Sequence, residues 1–165
     1  MAHFPGSAWS RPRNYLDRED LVTRALQALE RAHSMRYHDP DLRIHLALCR
    51  IDSKKTEMGV QALQALSEAR PQDPHIQMFF GRVLMMAAVP LKRSAPDRSS
   101  EYDQLARACL ERAIEVEPGA AEAHVYRAEY CAVDRDYKGS LSNLDKALRL
   151  NPRNPRALSL LAHVL

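Results

Sequence analysis

The alternation of charged, small and apolar positions along this chain is a repeat. "ERAIEVEPGA" (111–120) and "DKALRLNPRN" (145–154) place charge, small residue, apolar pair and proline in step, 34 residues apart. Counting back from Pro152 by 34 reaches Pro118, a further 47 reaches Pro71, and another 34 reaches Tyr37, where "HDP" (38–40) echoes "QDP" (72–74). Other sites obey the same register. Five residues before the anchors stand Ala32, Leu66, Ala113 and Ala147, and eight before stand Leu29, Leu63, Leu110 and Leu144. Twelve before stand Ala25, Gly59, Ala106 and Ser140, and ten after stand Ala47, Gly81, Ala128 and Ala162, all small. Small residues let helices approach closely and leucines fill the space between them, so the pattern predicts tightly packed helices. A fixed period also predicts a stack, because one short hairpin cannot bury its apolar face except against a copy of itself.

In these residues the chain resembles the tetratricopeptide repeat family, over roughly 20–165. The resemblance implies an all-α fold: an α-solenoid of stacked antiparallel helix pairs, about three repeats plus flanking helices. The expected helices run over 17–36, opened by Asp17 as cap, then 40–52 with 56–70, 74–88 with 101–117, and 121–134 with 137–150. A last helix starts at Pro155 and still runs at Leu165. The first is expected as the second helix of an incomplete unit or as a cap. No tryptophan opens any first helix; Arg43, Gln77, His124 and Leu158 hold that site. Arg127 stands where Leu46, Phe80 and Leu161 are large and apolar, so the third unit is expected to pack its first helix less tightly.

The longer 47-residue interval places an insertion at 88–101, "AVPLKRSAPDRSSE", expected as an irregular, locally basic surface loop between the helices of unit two. Truncating Lys92 or Arg98 there is expected to be nearly silent. The repeat domain is taken as 17–165, preceded by an arm over 1–16 whose Phe4 and Trp9 would tuck into the groove or onto the first helix.

Composition narrows the function. Twenty-four Lys plus Arg against 21 Asp plus Glu leaves +3, too even a mixture for a basic nucleic-acid face. The most apolar run, Val83 to Leu91, contains Pro90 and falls short of the ~20 residues of a membrane span. Cys49, Cys109 and Cys131 are odd in number, widely spaced and in apolar helical settings, as in a reducing compartment. The first sixteen residues lack the apolar core of a secretory signal, although Arg11 and Arg13 without acids leave a transit peptide open. The default location is cytoplasmic.

Nothing in the sequence carries catalysis. The five glycines are isolated, no CxxC, HxxxH or HExxH pair seeds a zinc site, and His33, His45 and His124 lie singly on amphipathic helices. No catalytic residue, metal or cofactor is expected. The first helices of the units would line a concave wall. Its binding residues are expected to be Ile44, Leu48, Ile51, Met78, Phe79, Arg82, Met85, Val125, Tyr126 and Glu129, joined by His45, His75, Met86, Glu122, Val133, Ser159 and His163. With Arg82 the only inward arginine of three units, a carboxylate clamp is not expected. Two readings of this Met-rich line stay open: a groove that suits a peptide or protein segment, or ordinary core covered by the arm, by the 88–101 insertion or by a twin subunit. The expected function is therefore a non-enzymatic scaffold or adaptor with a protein partner, neither nucleic acid nor membrane-inserted. Two alternatives stay open: a chaperone for an apolar client, since size and layout resemble type III secretion translocator chaperones, and a self-associating fragment of a larger assembly, hence a homo-oligomer.

Overall fold

Three helix starts share one chemistry. Asp39, Asp73 and Asn154 each hold an extended backbone before a proline and accept hydrogen bonds from amides of the first turn. The proline sits where its missing N–H leaves no bond unmade. Asp136 caps a fourth helix by accepting from the Gly139 amide. Ala120, at the corresponding start in unit three, offers no side-chain cap.

The computed structural model describes residues 18–35, 39–53 and 55–165, with only the backbone of Arg18 and Glu19. The expected arm over 1–16, the Asp17 cap and the Tyr37 anchor lie outside the described residues. Among these residues are eight helices and no strand: α1 (Arg18–Ser34), α2 (Pro40–Asp52), α3 (Thr56–Ala69), α4 (Pro74–Ser94), α5 (Pro96–Val116), α6 (Ala121–Val133), α7 (Tyr137–Leu150) and α8 (Pro155–Val164). No helix among them is long and apolar enough to cross a membrane.

The helices pair as α2 with α3, α4 with α5 and α6 with α7, and each pair packs on the next. Consecutive first helices also touch: α2 with α4, α4 with α6, α6 with α8. The backbones of the second helices α3, α5 and α7 stay apart, with no Cα atoms of one within 8 Å of another. A stack closed on one side and splayed on the other must curve, so α2, α4, α6 and α8 form its inner wall.

The register sites behave as the period demands wherever a neighbour exists. Leu63, Leu110 and Leu144 are fully buried, as are Ala47, Ala106, Ala128 and Ser140. Gly59 and Gly81 are sites of close approach. A Cβ on Gly59 would stand 2.7 Å from the Ala47 carbonyl oxygen, and one on Gly81 would stand 2.8 Å from Leu110 Cγ. The same positions at the ends of the stack, Ala25 and Ala162, are exposed because no described helix packs on them.

The expected loop at 88–101 is a correction: it is helix. α4 continues through Pro90 to Ser94, and Pro96 opens α5, so both helices have 21 residues where α2 and α6 have 13. Eight further residues lengthen this hairpin by about 12 Å. The two prolines act differently from the breakers they resemble. Pro96 occupies a favourable first-turn position. Pro90 is exposed and deprives the Met86 carbonyl of its usual intrahelical donor, a cost that the packing of α4 along α5 offsets. Ser99 Oγ ties the two helices together by donating to the Ala88 carbonyl at 2.9 Å. Arg98, on α5 instead of a loop, pairs with Glu57 of α3 and lies over the Tyr102 ring.

Where unit three lacks its large apolar residue, Arg127 is itself fastened. Its guanidinium donates to Glu111 of α5 at 3.1 Å and lies 5.1 Å from the centroid of the Tyr130 ring. Two residues at the missing-tryptophan site also share one task. Gln77 donates to the Pro71 carbonyl, and His124 Nε2 meets the Pro118 carbonyl at 3.1 Å. Each ties the start of a first helix to the proline turn just before it, and both are buried.

Candidate functional site

The inner wall consists of three rows that follow the repeat. Asp41, His75, Glu122 and Arg156 make one, His45, Phe79, Tyr126 and Leu160 the next, and Leu48, Arg82, Glu129 and His163 the third. All twelve are exposed or half-buried except Tyr126, which is 2% exposed.

The middle row carries three rings and Leu160, and His75 of the first row joins it. His75 meets Phe79 edge-on with ring centroids 4.8 Å apart, and Phe79 lies 6.1 Å from Tyr126. Tyr126 is held by two arginines from neighbouring helices. Arg82 of α4 and Arg156 of α8 lie 5.2 and 4.8 Å from its ring centroid, and Arg156 Nη1 donates to its hydroxyl at 2.8 Å. Arg156 also pairs with Glu129 at 2.9 Å. Burial pushes the Glu129 carboxyl above the usual range, Arg156 and Arg82 draw it back, and Glu122 raises it again. At the start of the wall, His75 Nε2 stands 3.3 Å from Asp41. Charges of both signs therefore flank a line of rings.

Beside Phe79 the wall opens into a cleft of about 290 Å³ between the starts of α4 and α6. Pro74, Met78, Phe79, Ala120 and Ala121 supply its apolar sides, and His75, Glu117 and Glu122 its polar ones. A larger cleft, about 580 Å³, opens on the outer side where α3 and α5 stand apart. Its lining mixes Gln64, Glu68, Arg112 and Glu115 with Phe80 and Leu105.

The expected site residues divide into wall and core. Phe79, Arg82, Glu129, Leu48 and Ile51 keep surface on or beside the wall, and Tyr126 is its braced centre. Ile44 and Val125 are 0% exposed, and Met78 and Met85 only 6% and 8%. All four belong to core clusters, so the Met stripe is packing and not a trough. Ile44, Met78 and Val125 each precede a middle-row residue by one position. On a helix that step is about 100°, enough to turn a side chain from groove to core. Of the further expected positions, Val133 and Ser159 are exposed and Met86 half-buried. Arg156 is the wall residue that the sequence reading missed; it stands 34 residues after Glu122, so extending the register into α8 finds it.

Among the described residues no three His, Cys, Asp or Glu side chains converge to hold a metal ion. The buried cysteines are poor nucleophiles, with the Cys109 thiol pushed up to about 11 by burial.

Two sequence models of the tetratricopeptide repeat family match the chain, over residues 19–82 and 104–155. The stretch between them contains the lengthened part of the α4–α5 hairpin. No curated protein matches. Among solved structures, a thermophilic tetratricopeptide repeat protein of Thermus thermophilus is similar, with a TM-score of 0.77 and 22% identity over 87% of this chain and 72% of that one. YrrB, described as a tetratricopeptide repeat protein with an unusual peptide-binding site, aligns over 89% of this chain and 68% of its own at a TM-score of 0.60 and 20% identity. MamA MSR-1 aligns over 87% and 75% at a TM-score of 0.58 and 14% identity. At these identities the likeness is one of fold.

Proposed function

The chain belongs to the tetratricopeptide repeat family, a fold that serves protein–protein interaction, and from that premise we propose that it is a non-enzymatic scaffold holding a peptide or protein segment against its inner wall. The carrying observation is the accessible row of His45, Phe79 and Leu160 around Tyr126, bordered by charged rows. Rings give contact area at low cost in side-chain entropy, and flanking charges of both signs fix register on a bound backbone. The peptide-binding site described for YrrB, a protein of similar fold, supports the same use. The chaperone alternative needs an exposed apolar trough, and Met78 and Met85 are not available to build one.

The test is selection from a displayed random-peptide library on the intact protein. Peptides so selected should weaken about tenfold or more on Phe79→Ala and Arg82→Glu, the order expected for anchor residues. They should be indifferent to Glu115→Lys in the outer cleft. Peptides sensitive to Glu115→Lys and blind to Phe79→Ala would move the site to the outer face and end this reading.

A further inference from the structure

We infer that the cleft at the α4–α6 corner is a slot for one lysine or arginine side chain of the bound segment, a reading that rests on the inner wall being the peptide groove. Its apolar sides, Phe79 and Met78 facing Ala120 and Ala121, suit an aliphatic stem. Long cationic side chains bury such stems along apolar surface and keep the charged head outside. The volume is sufficient. About 290 Å³ accommodates on the order of ten water-sized groups at ~30 Å³ each, more than the side chain of either residue contains.

The polar lining selects the sign. Glu117 and Glu122 are both exposed, and neither forms an ion pair or hydrogen bond with a described side chain. The other wall carboxylates are already engaged, Asp41 by His75 and Glu129 by Arg156. One opposing feature is present: α6 starts at Ala120 without a side-chain cap, so its first amides favour an anion. That end of a helix amounts to roughly half a positive charge, against two full carboxylates. The start of α4, also at the cleft, is already neutralised because Asp73 accepts from the His75 and Ile76 amides. The balance is negative.

Four small probes test the slot on the intact chain: n-butylguanidinium, n-butylammonium, n-butyrate and n-butanol, titrated while the amide resonances of Phe79, Ala121 and Glu122 are followed. The two cations should give saturable shifts that weaken with added salt, and the anion and the alcohol should not. Glu117→Gln with Glu122→Gln should weaken the cations about fivefold to tenfold and leave the helical far-UV spectrum unchanged, since both residues are exposed. Butanol binding as tightly as the cations would reduce the slot to an apolar crevice, and stronger binding of butyrate would hand it to the α6 amides; either overturns the inference, as does the absence of any saturable shift. Library peptides that depend on Phe79 yet bind the double variant as tightly as the parent would overturn the slot and leave the groove. Failure to find any Phe79-dependent peptide would remove the groove and the slot with it.

Discussion

At the scale of single residues, positions that look alike in the repeat carry different burdens. Ser140 occupies a small-residue site filled elsewhere by Gly59 and Ala106. It is fully buried, and its Oγ has no hydrogen-bond partner among the described residues. Removing an unsatisfied buried hydroxyl relieves a desolvation penalty, so Ser140→Ala should stabilise the fold by about 1 kcal/mol, read from chemical denaturation. Gly59→Ala should do the reverse. Helix propensity favours alanine by ~1 kcal/mol, but the new methyl meets a backbone carbonyl that cannot swing aside. Overpacking of this kind costs about 1–3 kcal/mol, and the net effect is a lower melting temperature. Cys109 links burial to pH. Its thiol is raised from an ordinary 9.0 to about 11, so the folded chain holds the proton more firmly than the unfolded chain does. That contribution is complete below about 9 and is lost as pH rises towards about 11. Melting temperatures at pH 8 and pH 10.5 should therefore fall further for the parent than for Cys109→Ala.

At the scale of elements, helix ends decide much of the local stability. The α6–α7 turn is a Schellman motif: the Arg135 amide donates to the Ala132 carbonyl and the Asp136 amide to that of Cys131. Arg135 is thereby held at φ 62, a left-handed conformation that a side chain resists. Arg135→Gly should raise stability by about 1 kcal/mol, measurable by urea denaturation. The lengthened α4–α5 hairpin shows the limit of residue-by-residue reading. Pro90, Pro96 and the serines around them signal a loop when taken singly, yet Pro96 begins a helix and Pro90 is carried by the packing of α4 on α5. Arg98 belongs to that hairpin. Its contact with Glu57 is solvent-exposed and screened by water, so Arg98→Ala should leave the melting temperature nearly unchanged.

At the scale of the whole molecule, the stack depends on each unit filling the next. Leu144 is fully buried in the cluster that joins unit three to α8, with Val125, Ala128 and Ala157. Its truncation to Ala should cost ~2–5 kcal/mol in equilibrium unfolding and lower the melting temperature of the whole chain. Met78→Glu should broaden or abolish cooperative melting, because it places a carboxylate in the cluster of Leu110, Ala113 and Ala123. Such a variant would report on folding and not on partner capture. The wall is braced at the same scale, with Tyr126 on α6 held by Arg82 from α4 and Arg156 from α8. One aromatic residue thus fastens three first helices and gives the inner wall a defined shape.

The sequence by itself determined the period, the class of fold and most helix bounds. Small residues and leucines recurring at 34 have one economical explanation, packing that repeats, and each proline after a short polar cap marks a start. It also carried the wall, since Phe79, Arg82, Tyr126 and Glu129 are on it. Only the tertiary structure decided which side of each first helix faces inward, because adjacent positions differ by about a 100° turn and a buried Met78 and a half-exposed Phe79 are equally apolar in a list of residues. The same holds for Arg156 with Glu129 and for the helical course of 88–101. Both arise from contacts between segments distant along the chain, and the free energy that places them belongs to the packed stack, not to the local stretch.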